Sequence, residues 1–250
     1  MNERTLQGKP LTTENLFEFY NTIAGDADEK AYYSDILVQR YFQQRKTHEI
    51  KKAINANDKD LVLDIGCGSG VQIQKVTENG YIRSIGIDVN RNAIEFARNR
   101  NLPNAEFIIA DAQHLPIKTA SITKVICAEI IEHLETPENL ISEIFRVLEK
   151  GGEVIITTPN NNRMWKIYEY LWDKFGRGRN YGETHLKLFS ETELHDSFFY
   201  FSKCKTKTIF FISPLLALLN LNWLLELGKR IDYIFEQWGW GVSIILYAKK

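Results

Sequence analysis

The sequence predicts an α/β fold, a mostly parallel sheet with helices on both faces. Three observations carry this. Leu61, Val62, Leu63 and Ile65 form a short apolar run suited to a strand buried on both sides. The run breaks into glycine at every second place (Gly66, Gly68, Gly70), and Val71, Ile73 and Val76 follow at helical spacing. The alternation of apolar strand and amphipathic helix then continues along the chain. With 250 residues, 44% hydrophobic and 25% charged, the chain can enclose one large core.

Residues 1–58 are expected to form a helical cap. Leu16, Phe17, Phe19, Tyr20 and Ile23 make one apolar group, Ile36, Leu37, Tyr41, Phe42 and Ile50 another, with Gly25-Asp26-Ala27-Asp28 as separator. Residues 59–159 form the core. Its second strand spans Tyr81 to Ile87 and leads to Asp88, with a helix from Arg91 to about Asn101. A third strand, Ala105 to Ala110, leads to Asp111-Ala112-Gln113, and Ile122, Val125 and Ile126 fit a fourth. Pro137 suits the first turn of a helix whose stripe is Leu140, Ile141, Ile144, Phe145, Val147 and Leu148. Gly151-Gly152 is expected to end that helix, and Glu153 to Thr158 to form the fifth strand. Ser190 with Glu193 reads as a capping box, and Lys205 to Ile212 and Val242 to Ala248 read as the last strands.

Strand, glycine turn and helix start together make a ligand site at the carboxyl edge of the sheet. The spacing is G-x-G-x-G with Asp64 just ahead, not the G-x-G-x-x-G of dinucleotide sites. A carboxylate there suits a ligand with a positive amino group better than a pyrophosphate. Asp88 falls about 20 residues past the loop, where an acid can accept both ribose hydroxyls. Read singly, Asp88 or Asp111 is equally a cap or turn residue. Together, Leu61 to Pro159 resembles the class I S-adenosylmethionine (SAM)-dependent methyltransferases. The resemblance implies a Rossmann-like sheet of seven strands, leading helices over the cofactor, and a helical insertion before the last strand. It implies SAM as cofactor, held by Asp64, Gly66, Cys67, Gly68, Gly70, Asp88, Val89, Asp111 and Ala112, with Asp111 accepting from the adenine amine.

The stretch Ile122 to Leu134 brings Glu129, Glu132 and His133 to i, i+3 and i+4, one face of a helix if the segment is helical. Methyl transfer requires an aligned nucleophile and removal of its proton. His133 is the candidate general base, with Glu129 beside it. The alternative is a helix-start cluster in which the dipole favours the acids. E-x-x-E-H with a distant histidine resembles ubiquinone-biosynthesis O-methyltransferases and small-RNA 3′-terminal 2′-O-methyltransferases. That resemblance implies a divalent metal ion on Glu129, Glu132, His133 and His185. This mixed N/O set suits Mn, Fe, Co or Zn better than Mg. E-x-x-E-H-L also occurs in methyltransferases without a metal, so both versions stay open.

Residues 160–250 are assigned to the substrate side. Asn160 to Asn162 reads as a turn or a substrate contact. Arg163 to Tyr181 interleaves aromatics with basic residues, as an inward-packed helix, a pocket wall, a membrane-facing segment or an RNA-binding stretch would. Ile209 to Leu227 is very apolar, and residues 214–236 are expected to form one helix with Asn222, Glu226 and Lys229 opposite Leu224, Leu227, Ile231 and Ile234. Such a helix can touch a membrane surface, close over a greasy substrate or make a homodimer. The net charge of −1 gives no global pull toward nucleic acid. Cys67, Cys127 and Cys204 lack disulfide or metal spacing, and Met1 to Pro10 has no apolar run, so a cytoplasmic setting is expected, with membrane association left open. The reading is an O-methyltransferase of a lipophilic small molecule of phenol or quinone-precursor type. An RNA 2′-O-methyltransferase and a non-catalytic SAM-binding module are the alternatives.

Overall fold

The computed structural model describes residues 5–6, 9–10, 12–78, 80–175 and 184–250. Seven strands form the main sheet: β3 (Leu61–Ile65), β4 (Arg83–Asp88), β5 (Ala105–Ile109), β6 (Ile122–Ala128), β7 (Leu148–Pro159), β8 (Lys203–Ile209) and β9 (Ser243–Lys249). A two-stranded ribbon of β1 (Thr5–Leu6) and β2 (Lys9–Pro10) precedes them. The sheet order is β5-β4-β3-β6-β7-β9-β8. Strands β3 to β7 pair in parallel, and β9 runs antiparallel between β7 and β8. The order reverses between β3 and β6, which opens a crevice at the strands' carboxyl ends.

Alternation along each strand divides the core in two. Leu63, Ile65, Val125, Cys127, Val154 and Ile156 face one side, under α6 (Pro137–Val147) and α8 (Glu191–Ser197). Val62, Ile126, Ile155 and Ile245 face the other, under α3 (Leu37–Ile54), α7 (Arg163–Phe175), α9 (Ser213–Ala217) and α10 (Asn222–Phe235). The Ser190–Glu193 capping box forms at the start of α8, and Pro137 sits in the first turn of α6.

Two sequence expectations fail. Gly151-Gly152 does not end α6. The helix stops at Val147, Leu148 is extended, and the glycines lie within β7, with Gly151 at φ +84°. The helix expected over 214–236 is broken between α9 and α10, where Asn220 takes φ +55°. Its inward face also differs: Leu225, Gly228 and Asp232 are buried, while Leu227 and Ile234 are exposed. Asp232 sets this rotation, because its carboxylate accepts from the Ile212 and Ser213 N–H groups (2.7 and 3.0 Å) and the Ser213 hydroxyl. No helix among the described residues is long and apolar enough to cross a membrane.

Ahead of β3 and after the β1–β2 ribbon lie α1 (Thr13–Tyr20), α2 (Ala27–Tyr32) and α3. Leu16, Leu37, Val38, Tyr41, Ile50 and Ile54 are buried, whereas α2 buries nothing.

Candidate active site

Strand β3 ends in the glycine loop, and α4 (Val71–Thr77) starts after it. Gly66 has φ +75°, and a Cβ there would come 2.1 Å from Ile130 Cδ1. Gly68 has φ +50°, and its Cβ would fall 1.7 Å from Asp28 Oδ2. These close approaches are why the loop is glycine. Gly70, at φ +79°, turns the chain into α4. The N–H groups of Gly66 and Cys67 donate to the Ile87 carbonyl (2.7 and 3.0 Å), and that of Gly68 donates to Asp88 Oδ2 (2.8 Å). The other Asp88 oxygen accepts from the Asn90 N–H (2.8 Å).

Burial pushes the Asp88 carboxyl up to about 6, against the pull of those N–H donors. Asp64 is 1% exposed, and its Oδ2 accepts no hydrogen bond among the described residues. Burial first, then the nearby charges of Asp88 and Asp28, hold its carboxyl well above the ordinary range.

A cavity of about 320 Å3 opens beside the loop. Gly66, Cys67, Gly68, Asp88, Val89 and Ala112 line this end of it; Asp64, Gly70 and Asp111 are not among its lining residues. The Asp111 carboxylate instead accepts from the Gln113 N–H (2.9 Å) and meets His114 Nδ1 at 3.0 Å. Its neighbours Ala110 and Ala112 face the cavity.

Glu129, Glu132, His133 and His185 line the same cavity. They do not share a helical face. Glu129 ends the strand region at φ +57°, and only Ile131–His133 forms a helical turn, of the 3-10 kind. Glu129 Oε1 accepts from the Thr157 hydroxyl (2.7 Å) and lies 3.8 Å from Lys46 Nζ. Glu132 is fully buried. Its Oε2 accepts from the Thr158 hydroxyl (2.9 Å), and its Oε1 accepts no hydrogen bond among the described residues. Burial, then the charge of Glu129, raises its carboxyl well above the usual range.

The Glu132 carbonyl accepts from the Leu186 and Lys187 N–H groups (2.8 and 3.1 Å), which clamps the following loop and brings His185 beside His133, with ring centroids 5.2 Å apart. Glu132, His133 and His185 offer ligand atoms within 4.8 Å of one another. Glu129 is not in that cluster, so the four-residue set predicted from sequence contracts to three. An orphaned buried oxygen beside two imidazoles fits a divalent cation.

His133 Nδ1 lies 2.9 Å from the Thr184 carbonyl. A carbonyl only accepts, so Nδ1 carries the proton and Nε2 keeps the lone pair. Burial lowers the imidazole pKa, which leaves it neutral near pH 7. Around it stand aromatics that the sequence assigned only to a cap and a mixed basic helix. Tyr20 meets His133 edge-on at 5.7 Å, and Trp165 lies 5.8 Å from His185. Tyr168 and Trp172 continue the wall, so α7 turns its tryptophans inward. Arg177, Arg179 and Tyr181 lie outside the described residues. Asn162 caps α7 by accepting from the Trp165 N–H (2.8 Å), and Asn160 donates to the Gly241 carbonyl (2.9 Å), tying the end of β7 to the segment before β9. Sequence reasoning missed Asp28, Tyr20 and Lys46 as lining residues. Only the Gly-Asp-Ala-Asp separator hinted at the first.

Residues 63–156 match the family model described as a methyltransferase domain. A probable S-adenosylmethionine-dependent methyltransferase of Mycolicibacterium smegmatis is 33% identical over 154 residues, 60% of this chain and 52% of that one. A ubiquinone biosynthesis O-methyltransferase of Coxiella burnetii is 29% identical over 132 residues, 47% of this chain and 53% of that one. The chain spans about half the length of these curated relatives. Among solved structures, a geranyl diphosphate methyltransferase in complex with GPP and sinefungin aligns over 95% of this chain and 97% of its own, with a TM-score of 0.66 and 12% identity. At that identity the likeness concerns the fold. Residues 63–156 are thus similar to a methyltransferase domain, and the sheet order and glycine loop fit the fold of one.

Proposed function

We propose that the protein transfers a methyl group from SAM to an oxygen of a lipophilic small molecule of phenol or quinone-precursor type. One observation carries this reading: the glycine loop with Asp88 and the neutral His133 open on one cavity whose wall beside His133 includes Tyr20, Trp165, Tyr168 and Trp172. In this reading the loop and Asp88 hold the nucleoside, and the apolar wall of Tyr20, Trp165, Tyr168 and Trp172 receives the acceptor and excludes water. The acceptor oxygen bonds to the methyl carbon as the carbon–sulfur bond breaks. The sulfonium becomes a thioether, and the hydroxyl proton passes to His133 Nε2.

Glu132, His133 and His185 would hold a divalent cation, which supplies a Lewis acid that lowers the pKa of a bound hydroxyl. The two roles of His133 exclude each other, because an Nε2 that ligates a cation has no lone pair for a proton. Dialysis against a chelator decides between them: activity lost and restored by Mn2+ supports the metal, and full activity afterwards removes it.

The direct test is incubation with SAM and a panel of catechols, reading S-adenosylhomocysteine. Turnover that falls about 10²–10⁴-fold in His133→Ala supports the base role. Tight SAM binding with no turnover on any acceptor favours a non-catalytic module. Trp165 and Trp172 lie in the cavity wall and not on an open surface, which supports a small acceptor over a nucleic-acid strand. Exposed Trp223, Leu227, Ile234 and Trp238, with Arg230 among them, support contact with a membrane surface from which such an acceptor could arrive.

A further inference from the structure

The cap's second helix is an unusual cover. It buries no residue and is held at the cavity rim by polar contacts. Asp28 Oδ2 stands against Gly68 on the side where a side chain would project, and the Ser69 N–H points to it at 3.3 Å. The neighbouring Glu29 pairs with Arg100 (2.9 Å), whose Nε donates to the Ser69 carbonyl (2.6 Å). Ser69 is thus gripped from both ends by one cap helix. Just before that helix, Asn21 Oδ1 accepts from the Arg91 N–H (2.9 Å), and its carbonyl accepts from Asn92 Nδ2 (3.0 Å), so the cap also docks beside Asp88.

This closure brings a third carboxylate to a loop that already has Asp64 and Asp88. Neither of those makes an ion pair with Lys or Arg among the described residues, and Asp64 Oδ2 is buried without a hydrogen bond. The charge of Asp28 raises both the Asp64 and the Asp88 carboxyls, so the three acids oppose one another where the helix meets the loop. A cation placed in the cavity reverses the sign.

We propose that Asp28 is a cofactor-recognition residue that closes the cap on the positive charge of the cofactor's amino-acid tail. The inference rests on the SAM reading above and adds to it: closure depends on the ammonium group, not on adenosine alone. Asp28 contacts the ligand at the rim, and Glu29 acts only to dock the helix.

The test is calorimetric titration of the full chain with SAM, S-adenosylhomocysteine and 5′-methylthioadenosine, which lacks the amino-acid tail. Asp28→Asn is expected to weaken the first two by about tenfold or more, as loss of a charge-assisted contact does, and to leave methylthioadenosine unchanged. Glu29→Gln, which loosens docking without touching the ligand, is expected to weaken the first two less than Asp28→Asn does and to leave methylthioadenosine unchanged. Hydrogen exchange over residues 21–35 is expected to slow with SAM but not with methylthioadenosine. An Asp28→Asn variant that binds SAM like wild type, or loses all three ligands in equal proportion, overturns the proposal while the SAM reading stands. Wild-type protein that binds none of the three overturns that reading and the proposal with it.

Discussion

Asp88 serves two partners with one carboxylate. It braces the glycine loop through the Gly68 N–H and is proposed to receive the ribose hydroxyls. Its carboxyl titrates at about 6 in the folded chain against an ordinary 3.8. The folded state therefore holds a proton that the unfolded state has released. Asp88 thus favours folding at low pH, and this contribution is lost as pH rises from 3.8 to about 6. Cofactor binding has the opposite sign, because two hydroxyl donors want the ionised form. SAM affinity is expected to fall as pH drops below about 6, by up to about tenfold per unit. In Asp88→Asn the slope should vanish and affinity should be low throughout, as calorimetry across pH 5–8 would read (roughly the window that this titration spans). A second prediction concerns His133. His133→Ala should abolish most turnover yet retain SAM binding, because its ring packs beside Tyr20 and His185 and makes no contact with the glycine loop among the described residues. Lost SAM affinity in that variant would assign His133 to the cofactor pocket instead.

At the scale of elements, what positions the site is a set of side chains that hold segment ends. Asp232 fixes the start of α9 through three donors and so decides which face of α10 turns inward. Asp232→Ala leaves those buried donors unmet and is expected to destabilise the fold by about 3 kcal/mol, read as a lowered midpoint in urea. A change within error would mean that water replaces the carboxylate. The contrast between legible and illegible elements follows the range of the forces. The capping box at Ser190, the first-turn Pro137 and the strand before Gly66 are set by neighbours a few residues away, so the sequence displays them. The Glu129 turn, the extended Leu148 and the break at Asn220 are imposed by tertiary contacts. Glu129 bends because its N–H donates to the Thr157 carbonyl and its carboxylate meets Thr157 and Lys46. No helical spacing reveals that.

For the whole molecule, the fold was legible because strand ends and helices alternate in an order that allows few topologies. The glycine-loop end of the cavity was legible because Gly66, Gly68 and Asp88 fall at neighbouring strand ends on one sheet edge. The acceptor end was only partly so. His133 and His185 stood out as types, but their meeting depends on the Glu132 carbonyl holding the loop at 186–187. Asp28, Tyr20 and Trp165 arrive from distant segments that composition cannot connect. The exposed apolar face of α10 and the turn after it belongs to this scale as well. If it meets a membrane, vesicles with anionic lipid should sediment the protein, and replacing Trp223 and Leu227 with Ser should release it without lowering its melting temperature. Protein that ignores vesicles but forms a dimer lost in the same variant would assign the face to a second copy.

The central claim is that an adenosyl sulfonium lies along the carboxyl edge of the sheet with its methyl directed at the aromatic end of the cavity. A crystal structure of the chain with S-adenosylhomocysteine tests this most directly. Ribose hydroxyls on Asp88, the amino tail over Gly66 to Gly68, and the thioether sulfur facing His133 are expected. A nucleoside bound elsewhere, or one reversed so that its sulfur points away from His133, would contradict it.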